Sequence, residues 1–151
     1  MDVRAYFLTF GTYGSRLHGD ERETWVRRDG WAEVPQPFNP RRARFEAAEL
    51  KQEPVTITPA MRSVIEAAIA DVCQHREWTL LALNVRLEHV HAVVVAEGVA
   101  PERVVNDVKA YATRRMREQG LVGPVAKFGR GTPARTTCSP MRMLRWRWIT
   151  R

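Results

Sequence analysis

An α+β sandwich, with helices on one face of a single antiparallel sheet, is the fold class this sequence predicts. Three observations lead there. Two amphipathic helix patterns open on proline, at Pro59 and Pro101, where the missing N–H is one a helix start leaves unpaired anyway. β-favouring runs occupy residues 5–10, 78–86 and 88–96. Along the chain these elements alternate as strand, helix, strand, strand, helix, strand, counting a short apolar run at residues 125–128 as the last. That order is the ferredoxin-like arrangement, in which two helices cover one side of four strands. The length of 151 residues fits one domain, and 44% apolar with 27% charged residues excludes wholesale disorder and a collagen-like chain.

The elements follow in order. Residues 5–10 (AYFLTF) are aromatic and β-favouring, and Gly11, Gly14 and Gly19 then punctuate a loop. From residue 16 to 57 the pattern breaks on Pro35, Pro37 and Pro40 amid dense charge, so a loop-rich insertion is expected, with a short helix over 41–52. Thr58 is a fitting N-cap, and Met61, Val64, Ile65, Ala68 and Val72 recur at helical spacing, which predicts a helix to about Arg76. Residues 78–86 and 88–96 are close enough to be antiparallel neighbours. In the helix from Pro101, Val105, Val108, Ala112 and Met116 form the sheet-facing stripe, with Arg103, Arg114 and Arg117 opposite, Lys109 and Tyr111 on the two flanks, and Gly120 as the stop.

The net charge of +7, from 24 basic and 17 acidic residues, points to a polyanionic partner such as nucleic acid. Its position is informative. Through Glu118 the chain carries 17 basic and 17 acidic residues, so the whole excess falls in the last 33, which contain Lys127, Arg130, Arg135, Arg142, Arg145, Arg147 and Arg151 and no acid. The longest apolar stretch, residues 80–96, holds Asn84, Arg86, Glu88, His89 and His91 and does not read as a membrane span. With no secretory pattern at the start, a cytoplasmic chain is expected. Cys73 and Cys138 make neither a disulfide framework nor a zinc pattern, and reduced thiols are expected.

The most specific local feature is His89-Val90-His91 inside a strand. Strand side chains alternate, so both imidazoles emerge on one face and are natural co-ligands for a single cation. Two histidines satisfied at a sheet edge are the competing explanation of the spacing taken alone. His18 and His75 read as surface or packing residues.

The run Leu87-Glu88-His89-Val90-His91, continued by residues 92–96, resembles the histidine-hydrophobic-histidine strand of the single-tyrosine HUH transposases, a group that includes the REP-associated tyrosine transposases. Tyr6-Phe7-Leu8-Thr9-Phe10, with Tyr13-Gly14 and Leu17-His18-Gly19-Asp20, is similar to the first strand and loop of some members, and residues 109–118 (KAYATRRMRE) resemble the basic helix after the histidine strand. The resemblance spans about residues 3–120. It implies a ferredoxin-like fold, binding of single-stranded or hairpin DNA, and strand cleavage and rejoining through a 5′-phosphotyrosine with release of a 3′-hydroxyl, assisted by a divalent ion, magnesium or manganese. It assigns His89 and His91 as metal ligands and Lys109, Arg114 and Arg115 as DNA contacts. It also implies a homodimer.

The sequence departs from that family at its end. The family tyrosine lies on a later helix, whereas Tyr111, the candidate nucleophile here, lies on the helix directly after the histidine strand, and no tyrosine follows Arg130. The expected organisation is therefore a transposase-like domain over residues 1–130 and an atypical basic tail over 131–151. Two readings of that tail stand: an arm whose arginines and tryptophans grip single-stranded DNA, or an out-of-frame version of an acidic, tyrosine-bearing helix. A chain without that helix is a DNA-binding remnant of a transposase. A ferredoxin-like domain with structural histidines and no DNA role is the third possibility.

Overall fold

The structure, a computed structural model, describes residues 5–15, 17–21, 24–28, 32–124, 127–128 and 136–137. Its main sheet has the order β4-β5-β1-β6, built from β1 (Ala5–Gly11), β4 (Thr79–Val85), β5 (His89–Val95) and β6 (Thr136–Thr137). Neighbouring strands are antiparallel throughout. Between β1 and β4 comes helix α2 (Pro59–His75), and between β5 and β6 comes α3 (Pro101–Glu118). Strand order and connections together are those of the ferredoxin-like α+β sandwich expected from the sequence.

Both long helices start as predicted. The Thr58 side chain accepts a hydrogen bond from the Met61 N–H, and Pro59 and Pro101 stand in the opening turns. Helix α2 buries Ile65, Ala68, Ile69, Val72 and Cys73, and α3 buries Val104, Val105, Val108, Ala112 and Met116. These stripes meet Tyr6, Leu8 and Phe10 of β1 and Val90, Ala92 and Val94 of β5 in one core. Burying each of the larger aliphatic side chains contributes about 1.5–3 kcal/mol. Arg115 ties α3 to α2 through Asp71 at 2.8 Å.

Two regions differ from expectation. The stretch expected to be loop-rich contains a separate antiparallel pair, β2 (Thr24–Arg28) and β3 (Ala32–Gln36), followed by α1 (Pro40–Ala48). Pro35 marked this region as non-strand, yet it lies in β3 opposite Trp25; a two-stranded ribbon leaves each strand an unpaired side, where a residue without N–H costs little. The fourth strand, expected at 125–128, is instead Thr136–Thr137, opposite Leu8 and Phe7. Phe128 is not in a strand: it is buried edge-on against Phe10, and its carbonyl accepts from the Tyr13 N–H at 2.8 Å. Its apolar character signalled a core plug and not a ladder. Apart from Thr136 and Thr137, the tail over 131–151 lies outside the described residues, as does Cys138.

Candidate metal centre and nucleic-acid interface

Strand β5 alternates strictly. Val90, Ala92 and Val94 are buried under the helices, while His89, His91, Val93 and Val95 are only partly covered. The period of two places both imidazoles on the sheet face away from α2 and α3. Their ring centres are 4.7 Å apart and the planes are inclined by 75°. The pair sits where β5 begins, with His89 opposite Gly11 and His91 opposite Thr9 in the β1 register. The adjoining turn is held by the Thr12 backbone N–H, which donates to the Glu88 carbonyl at 2.8 Å, and by the Thr12 hydroxyl, which donates to the same oxygen.

His91 is the more constrained of the two. Its Nδ1 is 2.9 Å from the Thr9 hydroxyl oxygen, and its ring stacks on Phe7 with 5.6 Å between centres and 9° between planes. Burial, reinforced by the nearby Arg86 charge, lowers its pKa below the ordinary histidine value. The imidazole is therefore neutral at pH 7, which is the form that ligates a metal. In the β4 register Asn84 stands opposite His91, so His91 is the middle of a row whose flanking residues both carry polar oxygens.

The residues present fit a divalent ion in part. With metal–nitrogen bonds of about 2.1 Å, an ion lies roughly 3.3 Å from each ring centre. Ring centres 4.7 Å apart are then compatible with neighbouring positions of an octahedral shell. Among the described residues no group of three or more His, Cys, Asp or Glu side chains assembles. Two imidazoles are what the sheet supplies.

The predicted DNA contacts lie on the other side of the sheet. Lys109 and Arg114 line a cleft of about 430 Å³ beside α3, together with Thr113, Arg117, Lys127 and the edge of Phe128. No acid lines it. The Lys109 ammonium is 5.4 Å above the Phe10 ring, and burial lowers its pKa. The Lys127 lip is fastened by Gln52, whose amide accepts from the Lys127 N–H at 2.8 Å and donates to its carbonyl at 2.9 Å. Arg115 is placed differently: it bonds Asp71 and lies 3.9 Å from Glu118, away from the cleft lining.

Tyr111 is not brought to the histidine pair. It packs on the helix layer, with its ring centre 6.2 Å from that of His75 in α2 and 5.5 Å from the Arg114 guanidinium. The sheet stands between it and the imidazoles. The other tyrosines are engaged elsewhere: the Tyr6 hydroxyl donates to the Val99 carbonyl at 2.9 Å, and the Tyr13 oxygen accepts from the Lys51 N–H at 2.9 Å. His18, expected at the surface or in packing, is held by Glu46, with Nδ1 3.0 Å from a carboxylate oxygen and the His18 backbone N–H donating at 2.7 Å. Burial opposes ionisation of Glu46, but these bonds and Arg42 together keep its pKa below the ordinary value.

Thr9, Phe7, Asn84 and Lys127 were missed from sequence as functional candidates, whereas Arg117, read there as part of a basic face able to hold phosphates, does line the cleft. The first three become neighbours only through strand register, which no local pattern reveals. Arg117 and Lys127 carried a signal, their charge, but the cleft that unites them depends on where the Phe128 segment lands.

Among the described residues no helix is long and apolar enough to cross a membrane. No curated protein matches the chain. A family model does: that of the IS200-like transposases matches residues 49–122, from the end of the insertion through α2, β4, β5 and α3. The match includes the histidine strand and the basic helix on which the resemblance rests, and over these residues the chain is similar to the IS200-like transposases.

Proposed function

We propose that this transposase-like protein binds single-stranded or hairpin DNA, holds a divalent ion at His89 and His91, and acts on the DNA backbone by strand cleavage and rejoining. The observation that carries the reading is the pair of imidazoles side by side on the open sheet face, with centres 4.7 Å apart. A bound magnesium or manganese ion supplies polarisation of a phosphoryl oxygen and neutralises charge that develops there. The protein's own part is to present two imidazole nitrogens and to hold the polynucleotide. Lys109 and Arg114, with Arg117 and Lys127, offer a cationic cleft for backbone phosphates. Arg115 contributes less, because a phosphate must first displace Asp71.

In the cleavage step a tyrosine oxygen bonds to phosphorus while the bond to the 3′ oxygen breaks, and that oxygen leaves as a hydroxyl after taking a proton. Tyr111 is the tyrosine the sequence offers, and its place on the helix layer favours a second reading: a DNA-binding remnant in which the ion site persists without a nucleophile. One experiment separates them. Hairpin and single-stranded oligonucleotides are incubated with the protein and manganese, then resolved under denaturing conditions. A covalent adduct that disappears in His91→Ala and Tyr111→Phe supports the cleaving enzyme. DNA retained without an adduct supports the remnant. Absence of binding at low salt overturns both and leaves the histidines structural.

A further inference from the structure

We infer that Thr9 is a positioning residue for the ion site: its hydroxyl oxygen, 2.9 Å from His91 Nδ1, holds the ring proton on Nδ1 and so keeps the Nε2 lone pair for a metal. The inference rests on the reading of His89 and His91 as ligands. A neutral imidazole carries one proton, and the nitrogen that bears it cannot also coordinate. Which nitrogen bears it is set by the hydrogen bond that the other makes or accepts.

Two arrangements satisfy a 2.9 Å contact. In one, Nδ1–H donates to Thr9 Oγ1 and Nε2 is bare; in the other, the threonine hydroxyl donates to a bare Nδ1 and Nε2 is protonated, which blocks that nitrogen. Only the first serves a ligand at Nε2, and it is the usual form of outer hydrogen bonding around metal-bound histidine. The ring is restrained in a second way by Phe7, stacked within 9° of parallel. Thr9 and Phe7 belong to the same outer face of β1, two residues apart, and both are half-buried. The first strand thus supplies one contact that fixes the ring's plane and one that fixes its proton. Thr9 is directly opposite His91 in the ladder, so the contact is a cross-strand pair and needs no unusual backbone.

The test uses the full chain, Thr9→Val, which keeps the β-branched shape and removes the hydroxyl, and Thr9→Ser, which restores it. Imidazole nitrogen shifts read by NMR without metal report the tautomer, and titration with manganese alone reports affinity. The expected result is Nδ1–H at His91 in wild type and in Thr9→Ser. Thr9→Val is expected to lose that preference and to bind manganese about tenfold more weakly, with Thr9→Ser near wild type. Protonated Nε2 in the wild type, or a Thr9→Val protein with unchanged tautomer and affinity, overturns the role of Thr9 while the ion site stands. A wild type that takes up no manganese overturns the ion site and the inference with it. Amide spectra of each variant confirm that the sheet is intact.

Discussion

His91 makes the stability of the fold depend on pH in one direction. Burial and Arg86 hold its pKa below the ordinary value, so the folded protein binds the proton less readily than the unfolded chain. Stability is full above the unfolded value of about 6.5 and falls as pH drops from there through the lowered folded value. Melting temperatures at pH 7.5 and 5.5 should differ by less in His91→Asn than in wild type; an equal difference removes His91 from the acid response. Cys73 is the second testable residue. It is buried, and desolvation pushes its thiol up to about 11, so almost no thiolate exists near neutrality. In a Cys138→Ser background, iodoacetamide at pH 8 should leave native protein unlabelled and label it once guanidinium unfolds the chain. Labelling of the native state at the unfolded rate contradicts that burial.

Elements built from local signals were readable, and elements built from distant ones were not. The Thr58-Pro59 start, the apolar stripes of α2 and α3, and the alternation around His89 and His91 are all properties of short windows, and each corresponds to an element of the fold. The hairpin of β2 and β3 was hidden by Pro35, and β6 by its two-residue length, since neither pattern nor propensity registers so short a strand. Of the candidate site, the shared face of the histidines was legible and the Thr9 contact was not, because 82 positions separate the partners. The docking of α1 onto the first loop offers a test at this scale. Gly19 has φ of +88°, and a Cβ there would stand 2.5 Å from the Asn39 carbonyl oxygen, just where the Asn39 N–H donates to Gly19 at 3.0 Å. Gly19→Ala must break that junction, with an expected loss of about 1–3 kcal/mol. Chemical denaturation measures it, and a loss below about 0.5 kcal/mol would show that the loop relaxes freely.

For the whole molecule, the two faces of the sheet divide the labour of the proposed function. One bears the imidazoles; the other, across the core, bears the cationic cleft of Lys109, Arg114, Arg117 and Lys127. Affinity for single-stranded DNA should fall steeply with salt, by about 0.7 in the logarithmic slope per phosphate neutralised. Replacing both Arg117 and Lys127 by Glu should lower affinity at least tenfold at low salt and flatten that slope. Manganese binding should not change, because neither residue is near the histidines. A double variant with wild-type slope places the polynucleotide elsewhere.

The cleft and the imidazoles open at the same end of the sheet, since Lys109 lies over Phe10 and the next residue of β1, Gly11, is opposite His89. A polymer that touches both must double back around a protein rim one layer thick. Uninterrupted duplex, with a persistence length of about 50 nm, resists so tight a corner, whereas an unpaired strand or the junction beneath a stem turns it readily. On the proposed function, the fold would screen its guests by suppleness before any base is read.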